Sequence, residues 1–178
     1  MIIKADIQLK KDINILDFGC GPGNNFPFLL KNNPKLIVAV DLSEEMLKQA
    51  KLKGLGDGIV IYVIASFQDY KTTEKFDFIP ANLSLVHLPK DELLPVLNKV
   101  NKMLTGDGLF FANYFEGNDE TKLLTSEWGK QKYVKRYFCF YKLPTLKKYY
   151  KGSGLKIIKS FKKTGRSFTR INILSERV

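Results

Sequence analysis

The stretch ILDFGCGPGNN, Ile15 to Asn25, sets three glycines within five positions directly behind an apolar run that carries an acid, Asp17. The run is nearly continuous in apolar residues, the pattern of a strand covered on both faces of a sheet. Gly19, Gly21 and Gly23 then form a loop whose bare backbone tolerates positive φ and admits close approach. Such a loop after a first strand serves either as a tight strand-to-helix turn or as a cradle for a ligand. A dinucleotide fingerprint would place its third glycine where Asn24 stands, and Asp17 would repel a pyrophosphate. No Gly-Lys-Ser/Thr follows the loop, which argues against a nucleoside triphosphate. A cationic ligand suits the acid better.

Outward from the loop, strand and helix signals alternate. NNFPFLLKNN is a short helix, and KLIVAVD is a second buried strand that ends on Asp41. SEEMLKQAKLKG is a helix with Ser43 as N-cap, acids in its first turn and Gly54 as its stop. GIVIYVIAS, KFDFIPA and GLFFANYF are further strands, and KDELLPVLNKVNKML is a helix whose Leu93, Val96, Leu97, Val100 and Leu104 share its packing face. Beyond Gly117 come a strand, YVKRYFCFY, a short helix, LPTLKKYYKGSG, and a last strand pair. This alternation predicts an α/β domain with a parallel sheet and helices on both faces. With 178 residues and no linker or repeat, the chain reads as a single domain over 1–178.

Composition excludes several classes. The chain is 44% apolar, so it is not a disordered polymer, and no run approaches the roughly 20 apolar residues of a membrane span. The N-terminal residues alternate Ile with Lys, Asp and Gln and do not resemble a secretion signal, which makes the cytoplasm the default location. Cys20 and Cys139 have neither metal-ligand nor disulfide spacing and read as free thiols, with no metal expected. The net charge of +11 is uneven: residues 120–178 hold 16 Lys and Arg against three acids, and the first 119 residues hold 13 bases and 15 acids. Two readings stay open, a compositional bias toward lysine and a basic face for an anionic partner.

LDFGCGPG together with VDLSEEML resembles class I S-adenosylmethionine-dependent methyltransferases. FDFI, LVHLP, MLTGDGLFFA and GSGLKII follow in that family's order, so the resemblance covers nearly the whole chain. It implies a Rossmann-like, doubly wound, mostly parallel sheet of about seven strands, the last antiparallel, and S-adenosylmethionine as cofactor. Gly19, Cys20, Gly21 and Gly23 would then line the cofactor, with Asp17 at its methionine end and Asp41 on both ribose hydroxyls. Leu42 and Met46 would flank the adenine. Ser66 and Phe67 stand where many relatives carry an acid for the adenine amine, and Asn82 would line the site.

The base-amine motif with two prolines and an aromatic is absent after the fourth strand, which points to a small-molecule acceptor. RNA or ribosomal methylation and a catalytically inactive cofactor-binding module are the alternatives. His87 is the sole histidine and reads either as a general base or as a packing residue beside the next helix. Trp128, Tyr114, Tyr133 and Tyr141 are candidate walls of the acceptor pocket, and Lys132, Lys135 and Arg136 candidate contacts of an anionic partner. About a dozen residues precede the first strand, whereas many relatives carry an N-terminal helical cover. An open site, or a lid lent by a second subunit in a homodimer, is the expectation.

Overall fold

A computed structural model describes residues 7, 9–128, 131–165 and 167–178, without the side chains of residues 125–134. In chain order the elements are β1 (Asn14–Phe18), α1 (Phe26–Leu29) with a 3-10 turn at Leu30–Asn32, β2 (Leu36–Asp41), α2 (Glu44–Leu52), β3 (Val60–Ile64) and β4 (Phe76–Ala81). A second 3-10 turn (Leu85–His87) leads to α3 (Lys90–Met103), β5 (Leu104–Glu116), β6 (Thr121–Trp128), β7 (Gln131–Tyr141), α4 (Leu143–Gly152), β8 (Leu155–Thr164) and β9 (Thr169–Arg177).

β3, β2, β1, β4 and β5 lie side by side in that order, and every pairing among them is parallel. β9 runs antiparallel against β5, and β8 antiparallel against β9, so the last strand opposes both its neighbours, antiparallel as expected. The chain moves one way from β1 to β3 and the other way from β4 onward. The C-terminal ends of β1 and β4 therefore flank the point where the winding reverses, the crevice in which open α/β sheets bind ligands.

Among the described residues nine strands are present. YVKRYFCFY is β7, a strand as read; it forms an antiparallel hairpin with β6, which was not read as a strand, and attaches to the C-terminal end of β5 through Phe115 opposite Phe140. β6 has no apolar alternation of its own and exists as a strand through its ladder with β7.

The near-continuous strand residues divide between two cores by their period of two. Leu16, Phe18, Val38, Val40 and Ile79 pack against Leu93, Val96, Leu97 and Val100 of α3 and Leu146 and Tyr150 of α4. Ile15, Ile37, Ala39 and Phe78 pack against Phe26 and Leu29 of α1 and Leu47 and Ala50 of α2. Fully burying one such aliphatic side chain contributes about 1.5–3 kcal/mol, so both helical layers are held by the faces their periodicity marked. The crossover from β3 to β4 carries no helix.

Candidate cofactor site

The loop after β1 is tied to the tip of β2. Gly19 and Cys20 both donate their backbone N–H to the Val40 carbonyl, at 2.8 and 2.9 Å. Gly19 has φ +80°, and a Cβ there would stand 2.3 Å from the Cβ of Ser84, whose hydroxyl donates to the Phe18 carbonyl at 2.9 Å. Glycine at 19 is thus demanded by packing. Gly21 differs: nothing lies within 4 Å of where its Cβ would be, so its backbone borders open space. At Gly23 the ring of Phe26 already fills the place of a Cβ.

Asp41 closes the other side of this opening. Its Oδ2 accepts the Gly21 N–H at 2.8 Å and its Oδ1 accepts the Ser43 N–H at 2.9 Å, which fixes the carboxylate at the end of β2. Leu42 beside it is 71% exposed, a large apolar surface without a protein cover. Ser43 caps α2 by accepting the Met46 N–H at 3.3 Å, and Met46 is partly buried on the same rim.

Asp17 lies beneath the loop with no exposure at all. Its Oδ1 accepts from Asn25 Nδ2 at 2.9 Å, while its Oδ2 has no hydrogen-bond partner among the described residues. Burial pushes its pKa up to about 7; the Asn25 bond pulls it down, and the Asp41 charge adds to the rise. A buried carboxylate oxygen without a partner is costly, and a cationic ligand group would relieve that cost and favour the ionised form. Asn82, past the end of β4, donates to Asn25 Oδ1 at 3.4 Å and accepts from Asn113 of β5 at 2.5 Å. Cys20 is buried with Sγ 3.4 Å from the Gly21 carbonyl, and burial together with Asp17 and Asp41 pushes its thiol well above the usual range, so it stays neutral.

At the β3 side the sequence expectation is modified. The Ser66 hydroxyl donates to Asp69 Oδ2 at 2.6 Å and accepts the Asp69 N–H at 3.0 Å, so it is engaged in its own turn. Phe67 stands edge-on to Phe18 at 4.6 Å and supports the loop at Gly19. A residue not singled out from sequence holds this turn: Lys99 of α3 donates to the carbonyls of Phe67, Gln68 and Tyr70 at 3.0, 2.5 and 3.1 Å. Its loss of hydration lowers its pKa, with Asp69 opposing the shift.

His87 ends the turn after β4 and is exposed as a residue, although its ring stands edge-on to Phe138 at 4.7 Å. Nδ1 lies 2.9 Å from the Tyr137 carbonyl. A carbonyl only accepts, so the neutral ring carries its proton on Nδ1 and leaves the Nε2 lone pair free. Desolvation lowers the His87 pKa, the Tyr137 bond opposes this, and Arg136 adds to the lowering. Around it Val86, Phe115 and Phe140 pack with Leu83, Phe138 and Phe168. Two expected pocket walls are elsewhere: Tyr114 and Tyr141 are wholly buried core residues, stacked edge-on, with the Tyr114 hydroxyl 3.0 Å from that of Tyr150. They sit on inward-facing positions of β5 and β7, so the phenylalanines on those strands take the outer role. The side chains of Trp128, Lys132 and Tyr133 lie outside the described residues.

A family model described as a methyltransferase domain matches residues 15–108, just over half of the chain. The chain belongs to that methyltransferase family. Trans-aconitate 2-methyltransferase of Enterobacter sp. strain 638 is 37% identical over 101 residues, covering 56% of this chain and 39% of that protein. Malonyl-acyl-carrier-protein O-methyltransferase 1 of Ilyobacter polytropus is 31% identical over 135 residues, covering 71% of this chain and 49% of that protein. The chain thus spans less than half the length of either curated relative. A solved S-adenosylmethionine-dependent methyltransferase of Methanosarcina mazei superposes with a TM-score of 0.79 at 16% identity, over 96% of this chain and 94% of that one, which shows the shared fold. The family match takes in every residue of the glycine loop and stops before Asn113 and the β6–β7 hairpin.

Proposed function

We propose that this methyltransferase chain, as one domain over 1–178, binds S-adenosylmethionine where β1, β2 and β4 end and methylates a small molecule. The observation that carries this reading is the unpartnered Oδ2 of buried Asp17 beside the open backbone at Gly21. A phosphate-bearing dinucleotide would set an anion against that oxygen, whereas an ammonium satisfies it. Asp41 retains its bonds to Gly21 and Ser43 and still has lone pairs for two ribose hydroxyls. Leu42 and Met46 supply the apolar edge for a base, Ser66 and Phe67 bound its far end through their backbone, and Asn82 lines the floor.

When bound, the cofactor supplies an electrophilic methyl group on a sulfonium sulfur. The protein contributes alignment, and holding two reactants in the reactive geometry is worth about 7–11 kcal/mol. For an acceptor that must lose a proton, His87 Nε2 is the base, since Nδ1 is committed to Tyr137. Two of the curated relatives are named for trans-aconitate and malonyl-acyl-carrier-protein methylation, and an acceptor that reacts through a carboxylate would need alignment without a base. Buried free Cys20 and Cys139 suit a reducing compartment, and we place the protein in the cytoplasm.

One observation favours RNA as the acceptor. A cleft of about 640 Å³ between α4 and β8, away from the loop, is lined by Lys147, Lys151, Lys156 and Lys159. Methyl-labelled cofactor incubated with cell extract separates the readings. Label is expected in the small-molecule fraction and insensitive to ribonuclease; label that ribonuclease releases from polymer contradicts the small-molecule reading. With a hydroxyl acceptor, His87→Ala is expected to slow transfer by about 10²–10⁴-fold at unchanged cofactor affinity. The low-pH limb of the wild-type rate should lie below the ordinary histidine value.

A further inference from the structure

Beneath the loop a file of amides crosses from β5 to β1, and every link in it has one direction. The Leu83 N–H donates to Asn113 Oδ1 at 2.7 Å, and Asn113 Nδ2 donates to Asn82 Oδ1 at 2.5 Å. Asn82 Nδ2 donates to Asn25 Oδ1 at 3.4 Å, and Asn25 Nδ2 donates to Asp17 Oδ1 at 2.9 Å. A backbone N–H only donates and an ionised carboxylate only accepts, so the two ends dictate how all three asparagine amides are turned. Asp17, Asn25 and Asn113 are buried, and Asn82 is partly so. Aligned amide dipoles with their N–H ends toward a carboxylate stabilise its charge, more so where water is excluded.

We propose that Asn113 is a positioning residue for the cofactor site: it orients Asn82 and Asn25 so that the file presents an N–H to Asp17 Oδ1 and leaves Oδ2 turned to the ligand's cationic group. This rests on the reading that a cation binds at Asp17. Asn113 grips two successive residues at the start of the turn after β4, because its Oδ1 also anchors Leu83, whose φ of +55° is unusual for a branched residue. The charged group acting on Asp17 is Asp41 from β2, which pushes in the same direction as burial; Asn25 alone opposes them. The neighbouring titratable group on the loop, the Cys20 thiol, is held neutral. With the file removed, nothing among the named neighbours offsets burial.

The test uses the full chain with S-adenosylhomocysteine, which keeps the ammonium group, titrated calorimetrically from pH 5.5 to 9. Wild-type affinity is expected to fall as pH drops below about 7, where Asp17 takes up a proton. In Asn113→Leu the midpoint should move up by about one pH unit, so affinity falls about fivefold at pH 7 and stays within about threefold at pH 9. Asn82→Leu, which removes the donor to Asn25 without adding a charge, should raise the Asp17 titration in the same way; because Asn82 lines the site this is read in ligand-free protein, and it stands in should Asn113→Leu fail to fold. Carbon NMR of the Asp17 carboxyl in ligand-free protein, assigned with Asp17→Asn, reads the same shift without ligand. No binding by the wild type, with the Asp17 titration still shifted in the variants, would overturn the cation-site reading and with it the cofactor role of Asn113. Variants that leave the Asp17 titration in place, or lose affinity equally at every pH, overturn the proposal directly.

Discussion

Asp17 concentrates the conflict between stability and binding in one side chain. Its folded pKa is about 7 against 3.8 for the unconstrained group, so between these values the folded chain holds a proton that the unfolded chain releases. The ligand-free protein therefore loses stability as pH rises from about 4 through about 7. Asp17→Asn removes this dependence, and at pH 8 it is expected to stabilise the free protein by about 1–4 kcal/mol while abolishing cofactor affinity. Thermal melts at pH 5 and pH 8 check the sign; an unchanged pH slope in the variant would remove the assigned charge. Two of the three loop glycines separate in the same way. Gly19→Ala drives a Cβ into Ser84 at φ +80° and should cost about 2–4 kcal/mol in denaturant melts. Gly21→Ala meets only open space, so it should cost about 1–2 kcal/mol of backbone strain and act mainly on ligand affinity.

Among the elements, β1, β2 and α2 were legible because their signals are local: continuous apolar runs, an acid at each strand tip, and Ser43 followed by Glu44 and Glu45. β6 was not, since Thr121 to Trp128 gains its strand form only from the ladder with β7. Asn113 left a trace, one amide within the apolar run of β5, but its partners Asn82 and Leu83 stand about 30 residues earlier in the chain. Lys99 left none. On α3 it reads as one lysine on a solvated face, and its function depends on the β3–β4 crossover arriving without a helix to cover its own carbonyls. Lys99→Met keeps the stem and removes the donor, so backbone amides around Phe67 to Tyr70 should exchange markedly faster, with a stability loss of about 1.5–3 kcal/mol. Unchanged exchange there would mean the turn is held by Ser66 and Asp69 alone.

At the scale of the molecule, the sheet places three sequence-distant acids and amides at one reversal point. β1 delivers Asp17 and the loop, β2 delivers Asp41, and β4 delivers Asn82, all at their C-terminal ends. Fold alone does not choose a ligand; the choice comes from a cation-seeking oxygen next to a fixed carboxylate and an uncovered apolar rim. Lys147, Lys151, Lys156 and Lys159 line the cleft between α4 and β8, so a polyanion bound there would respond steeply to salt. What the loop binds is measured directly by calorimetry with S-adenosylhomocysteine and with a nicotinamide dinucleotide, on the wild type and on Asp41→Ala. A cofactor site at the loop requires that the wild type bind S-adenosylhomocysteine in preference to the dinucleotide, and that folded Asp41→Ala bind it more weakly by about 1.5–3 kcal/mol. Equal affinity in the folded variant, or a wild type that prefers the dinucleotide, would contradict it.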